Sequence, residues 1–202
     1  MKTNKLLLPL ILTIFLLIIL SLVIFYLVTK KTDDNSNNNT NNSSTSTDNN
    51  NTNNSSNDTL VIGNSEHYNE NIDLENKNVE IGGNAVINTD IRIENGDLTI
   101  GNSTTVNGKI YVKNGSVTIG GNGQYKKLIK IENGDFEAGN SNHFVTIEII
   151  EGDLTIDGNN TIDGDLIAED GKVKIGNSNN ISGDISAEDF EQGGNNVIEG
   201  DY

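Results

Sequence analysis

The sequence predicts an all-β chain: a three-sided parallel β-helix of about 7.5 coils with 19-residue repeats, preceded by one transmembrane helix. Three observations carry that expectation. A corner tripeptide, GNS, GGN or DGN, begins at residues 63, 82, 101, 120, 139, 157, 176 and 193, with spacings of 19, 19, 19, 19, 18, 19 and 17. Apolar residues return at the same phases of that period. An uninterrupted apolar run of 23 residues, LLLPLILTIFLLIILSLVIFYLV, fills 6–28. A fixed short period is the signature of stacked repeats and has to be explained before any other feature.

Residues 1–5 are a short flank with Lys2 and Lys5. At about 1.5 Å per helical residue, 6–28 spans roughly 34 Å, enough to cross a bilayer with some tilt. The run is longer than the apolar core of a cleaved signal peptide, and FYLVTKK offers no small-residue cleavage site. It is read as an uncleaved signal-anchor and places the chain in the cell membrane with a single pass. Pro9 lies near the start of the helix, where a missing N–H does least harm. Lys2 and Lys5 face Lys30 and Lys31 across the span. That near-tie leaves the side of the β-helix open under the positive-inside rule.

Residues 29–58 contain no apolar residue. Such a segment cannot bury surface to offset its ordering entropy, so a disordered tether is expected, with a mean reach of roughly 30 Å. Asn38, Asn42, Asn53 and Asn57 begin Asn-x-Ser/Thr sequences, which permit glycosylation if the tether faces outward.

Residues 59–202 form the expected β-helix domain. The residue before each corner reads Ile62, Ile81, Ile100, Ile119, Ala138, Ile156 and Ile175. Two residues earlier the column reads Leu60, Val79, Leu98, Val117, Phe136, Leu154 and Val173. After the corner come Tyr68, Ile87, Val106, Tyr125, Ile162 and Ile181. A third side carries Ile72, Ile91, Ile110, Ile129, Ile147, Leu166 and Ile185, with Leu74, Ile93, Val112, Ile131, Ile149, Ala168 and Ala187 as its partner column. Within each side apolar and polar residues alternate, as in half-buried strands. One coil cannot bury its own face, whereas stacked coils share a core. At about 4.8 Å per coil the rod is roughly 35 Å long.

The second corner position reads Asn64, Gly83, Asn102, Gly121, Asn140, Gly158, Asn177 and Gly194. Gly and Asn enter the left-handed region most cheaply, so a left-handed bend is expected at that position. These residues are read as structural corners, not as a ligand site.

Composition excludes several functions. Residues 59–202 hold nine Lys and Arg against 25 Asp and Glu, a net charge of −16. Such a surface repels phosphates, so nucleic-acid binding is rejected. The chain has no Cys, hence no disulfide framework or thiolate metal site. His67 and His143 are read as occupying different coil positions and as solvated. No nucleophile–base spacing is present and connections are short, so no catalytic residue and no cofactor are assigned. Tyr111 is an outward aromatic, but its column neighbours are Arg92 and Lys130, which argues against a stacking platform for carbohydrate.

The acids are concentrated at one end. Residues 135–202 carry 2 Lys and 16 acids, net −14, whereas 59–134 are net −2. Asp165, Asp184 and Asp201 stack in one column, where like charges are destabilising. A solvated acidic face is the preferred reading; a divalent-cation ladder on these three carboxylates is the alternative.

The stretch TIDGDLIAEDGKVKIGNSNNISGDISAED (161–189) resembles the bactofilins, polymer-forming cytoskeletal proteins. Gly164-Asp165-Leu166-Ile167-Ala168, Gly183-Asp184-Ile185-Ser186-Ala187 and Val173-Lys174-Ile175-Gly176 carry the resemblance, which is best over 153–202 and looser over 59–152. It implies a right-handed β-helix that stacks end to end, without nucleotide, into non-polar filaments. Leu60, Ile62 and Tyr68 at one end and Val197, Ile198 and Tyr202 at the other are the candidate polymer contacts. The expected function is therefore a non-enzymatic, membrane-tethered scaffold whose partners are further copies of itself. The rival is an extracellular adhesin-like or envelope-binding module on a stalk, with a cell-envelope component as its partner.

Overall fold

The computed structural model describes residues 58–202. The expected membrane span at 6–28, and the expected tether apart from Asp58, lie outside the described residues. The folded part is an all-β parallel solenoid of about seven turns with a spacing near 19 residues.

Each coil contributes three short strands. The first has β1 (Asp58–Ile62), β2 (His67–Tyr68) and β3 (Ile72–Leu74). The second has β4 (Lys77–Ile81), β5 (Val86–Ile87) and β6 (Ile91–Asn95); the third, β7 (Leu98–Ile100), β8 (Thr105–Val106) and β9 (Ile110–Asn114). The fourth has β10 (Val117–Ile119), β11 (Gln124–Tyr125) and β12 (Ile129–Asn133); the fifth, β13 (Phe136–Ala138), β14 (His143–Phe144) and β15 (Ile147–Glu151). Then come β16 (Leu154–Ile156), β17 (Thr161–Ile162), β18 (Leu166–Ile175), β19 (Asn180–Ile181), β20 (Ile185–Gln192) and β21 (Val197–Ile198). β1 starts one residue before the expected domain boundary, and Asp58 there bonds Lys77 at 2.7 Å.

The strands stack coil on coil in parallel, in the register the repeat implies: Leu60 against Val79, Val79 against Leu98, Ile72 against Ile91. β2, β5, β8, β11, β14, β17, β19 and β21 form one sheet. The other two sides join into a single sheet of 13 strands, because β18 and β20 run through the corner that separates those sides in earlier coils. That corner is a sharp bend where Gly96, Gly115, Gly134 and Gly152 take φ of 139–151°. A Cβ on Gly96 would also lie 2.1 Å from the Lys77 carbonyl oxygen, so both backbone and packing demand glycine. The first coil turns the same corner with Asn76 at φ 58°, which is why Lys77 is tolerated there.

The predicted columns are the core: Val79, Ile93, Leu98, Val106, Val112, Val117, Ile131, Ile149, Leu154 and Leu166 are fully buried. Phe144 fills the post-corner column of the fifth coil, a position the sequence reading left blank. That coil has only Val145 and Thr146 between β14 and β15, where the fourth has Lys126, Lys127 and Leu128 between β11 and β12. Phe136 replaces a smaller aliphatic residue in its column, and Ala138 replaces isoleucine beside it. The exchange holds core volume roughly constant, as close packing requires. Phe136 meets Phe144 edge to face at 5.9 Å.

Candidate functional site

The corner column does two jobs that the sequence reading merged into one. The left-handed residues are Ser65, Asn84, Ser103, Asn122, Ser141, Asn159, Ser178 and Asn195, at φ of 57–62°. This is the third corner position; Asn64, Gly83, Asn102, Gly121, Asn140, Gly158, Asn177 and Gly194 do not carry the bend. Their Asn/Gly alternation serves contact between coils. The side-chain oxygen of Asn64 accepts the N–H of Gly83 at 2.7 Å, and Asn102 and Gly121, Asn140 and Gly158, and Asn177 and Gly194 repeat the bond at 2.7–2.9 Å. On the other side, a Cβ on Gly121 would come 2.8 Å from the Asn140 carbonyl oxygen, and one on Gly158 2.6 Å from that of Asn177. One coil supplies an acceptor; the next supplies an unencumbered amide.

The same device recurs in two further columns. Asn78 accepts the N–H of Asp97, Asp97 that of Ser116, Asp135 that of Asp153 and Asp153 that of Lys172, each at 2.9 Å. Asp165 accepts from Asp184 and Asp184 from Asp201, both at 2.9 Å. The three aspartates proposed as a cation ladder are in register, as expected, but one oxygen of Asp165 and one of Asp184 is committed to the next coil's backbone. These charge-assisted bonds offset the repulsion of stacked carboxylates. Among the described residues no group of three or more His, Asp or Glu side chains converges to hold a metal ion.

A ladder inside the solenoid was not seen in the sequence. Asn142, Asn160 and Asn179 are buried, in a column that Ala85 and Thr104 occupy in earlier coils. Their bonds run the opposite way. The side-chain oxygen of Asn142 accepts the N–H of Gly123, Asn160 that of Asn142, Asn179 that of Asn160, and Asn196 that of Asn179, at 2.7–2.8 Å. The amide nitrogens of Asn142, Asn160 and Asn196 donate to the carbonyls three residues back, Gly139, Asp157 and Gly193. A signal was available: asparagine three residues after the first corner residue in each of the last four coils.

His67 and His143 correct another expectation. The register His67–Val86–Thr105–Gln124–His143 puts both in one outward column, four coils apart. The misphasing arose with the shortened fifth coil. At about 4.8 Å per coil they are roughly 19 Å apart and share no ligand. His143 Nε2 pairs with Asp163 Oδ2 at 2.7 Å. On the third side, Arg92 lies 5.0 Å over the Tyr111 ring, and the Tyr111 hydroxyl donates to Glu132. That carboxylate holds the phenol above its ordinary pKa. The ring Tyr111 would offer to a sugar is therefore covered on one face by its own neighbour.

The end coils hold the proposed contact residues. At the first coil, Leu60, Tyr68 and Leu74 are half-buried, Val61 is exposed, and Ile62 is only 1% exposed and belongs to the core. At the last, Val197 is 55% and Tyr202 72% exposed, while Ile198 is half-buried. Tyr202 packs edge to face on Phe190 with centroids 5.5 Å apart. Gln192 stands where Ile175 and Ile156 fill the core below it. Shallow depressions follow the glycine corner along the rod; one of about 300 Å³ is lined by Thr118, Glu137, Thr155 and Asp157 among others. The chain matches no protein-family model, no curated protein and no solved structure.

Proposed function

We propose that the protein is a membrane-tethered scaffold whose solenoid associates with further copies end to end, as its resemblance to the bactofilins implies. One observation carries the reading: the apolar columns persist into both end coils. Leu60, Ile62, Tyr68, Ile72 and Leu74 continue them at one end, and Phe190, Ile198 and Tyr202 at the other. Stacking a second copy would remove this surface from water, at about 25 cal/mol per Å². Apolar area and unpaired strand edges together favour such stacking. In this reading the coils wind right-handed, in line with the strong preference of parallel crossovers, and residues 6–28 anchor the rod in the bilayer. The activity proposed is assembly without catalysis, cofactor or nucleic acid.

The test is negative-stain microscopy and sedimentation of the full chain in detergent across a concentration series. Filaments one solenoid wide are the expected result. A monodisperse protomer at the highest concentration overturns the proposal, and the stalked envelope-binding module then becomes the better account of the same fold.

A further inference from the structure

We propose, resting on end-to-end assembly, that the contact between copies is head-to-tail: the last coil of one copy receives the first coil of the next. The observation behind this is the direction of the hydrogen-bonded columns. In the outer columns the side chain of each coil accepts the backbone N–H of the following coil, as Asp165 does from Asp184 and Asp184 from Asp201. In the inner column the direction reverses: the N–H of Asn160 donates to the side chain of Asn179, and that of Asn179 to Asn196. Every junction between coils in the last third of the rod is therefore directional. Its C-terminal face presents side-chain acceptors in the outer column and a backbone donor in the inner one. Its N-terminal face presents the complement.

The two end coils carry the groups this pattern demands. On the last coil, Asp201 continues the outer column with its carboxylate, and Asn196 continues the inner column with its N–H. In the first coil Asn71 occupies the outer-column phase, and no coil precedes it among the described residues. Glu66 occupies the inner-column phase. Its carboxylate folds back over Gly63, 3.1 Å from where a Cβ there would lie. That is the posture of the ladder asparagines, whose amides reach the carbonyl three residues back. Seating the first coil on the last aligns Asp201 with the N–H of Asn71, and Glu66 with the N–H of Asn196. The polar contacts then repeat those inside each chain. Two C-terminal faces placed together would oppose carboxylate to carboxylate and N–H to N–H, leaving four polar groups without partners at a cost for each. Filaments built head-to-tail are polar, unlike the non-polar filaments that the family resemblance implies.

The chain has no cysteine, so single cysteines report the arrangement directly. Asn69 and Glu199 share an outward column next to the proposed bonds without making them: Asn69 bonds Asn88, and the later column members follow to Glu199. Column neighbours in adjacent coils lie about 4.8 Å apart, within disulfide reach. Full-length Asn69→Cys and Glu199→Cys proteins are oxidised separately and mixed, with sedimentation run in parallel. The expected result is a cross-linked dimer in the mixture, no more than background from either alone, and a ladder of multimers from the double variant. Asp201→Ala should weaken association at least tenfold, and Asp201→Asn, which keeps the acceptor oxygen, should restore it. Dimers from either single variant without a mixed product overturn the polarity while assembly stands. Oligomers with no cross-link in any arm also overturn it, in favour of lateral contact. Absence of oligomers overturns both proposals.

Discussion

Tyr125 and Phe144 stack in the core, ring centroids 5.0 Å apart and planes within 16° of parallel. They occupy one column in adjacent coils, and the Tyr125 hydroxyl lies over Gly123, 2.7 Å from where a Cβ would sit. Gly123 is the member of its inner column that gives up its side chain to admit the ring. Phe144 is fully buried and touches both Tyr125 and Phe136. Phe144→Ala should therefore cost about 3–5 kcal/mol, the range for a truncated core aromatic. Denaturant melts of the full chain check it; a loss under about 1 kcal/mol would mean that the coils close the cavity.

The Tyr125 hydroxyl is buried with no hydrogen-bond partner, and burial pushes its pKa up. Tyr125→Phe should stabilise the protein by about 1 kcal/mol, since it removes an unsatisfied donor. The phenol's folded pKa is raised, so the group's contribution is whole below its unfolded value near 10 and is lost as the pH rises past it. The alkaline limb of the stability curve should thus be shallower in the phenylalanine variant. Absorbance titration should show Tyr125 ionising only as the chain unfolds.

The separation of roles at the corner makes a paired prediction. Ser103→Gly acts at a left-handed residue, where relieved strain and added chain entropy nearly cancel, and should change stability little. Gly121→Ala pushes a methyl toward the Asn140 carbonyl oxygen and should cost more than about 1 kcal/mol. Thermal melts of the two variants decide it, and the opposite ranking would return the bend to the second position.

Asn160 satisfies three buried backbone groups: the N–H of Asn142 and the carbonyls of Asp157 and Gly158. Asn160→Leu strands all three and should cost about 3 kcal/mol or more. Hydrogen exchange should show the loss concentrated in coils five to seven. Uniform destabilisation along the rod would contradict a local ladder.

Both end coils are acidic. Residues 58–76 and 185–202 each carry five Asp and Glu and no Lys or Arg. Any end-to-end contact brings these charges together, and salt shortens the screening length from about 10 Å at 0.1 M to about 3 Å at 1 M. Association measured by sedimentation should strengthen as NaCl is raised. Weakening with salt would point instead to a contact made by the basic residues of the second to fourth coils.

The period, the three sides and the apolar columns were legible because alternation on a strand and burial on one face are the same fact seen twice. Ile72, Ile91 and Ile110 show it without interruption. The corner was harder. Asparagine and glycine do prefer left-handed geometry, but at Asn102 and Gly121 they were chosen for an acceptor and a bare amide on facing coils. That is a relation between residues 19 apart, and no single position displays it. The asparagine ladder was hidden for a related reason. A search for apolar columns passes over Asn142, Asn160 and Asn179, whose burial is sustained by hydrogen bonds. The missing residue between β14 and β15 shifted the phase by one, concealing both Phe144 and the shared column of His67 and His143.

The alternation of Asn64, Gly83, Asn102 and Gly121 has a bearing on how such a rod can change its length. Removing the single coil that holds Asn102 would set Gly83 beside Gly121 and leave that amide without an acceptor; removing two adjacent coils would restore every match. The heritable unit is thus a pair of coils, 38 residues in the regular part of the repeat. Duplication or loss of that pair adds or subtracts about 10 Å of rod at a stroke. Descendants of this sequence should differ in length by even numbers of coils, much as a zipper lengthens only by whole teeth.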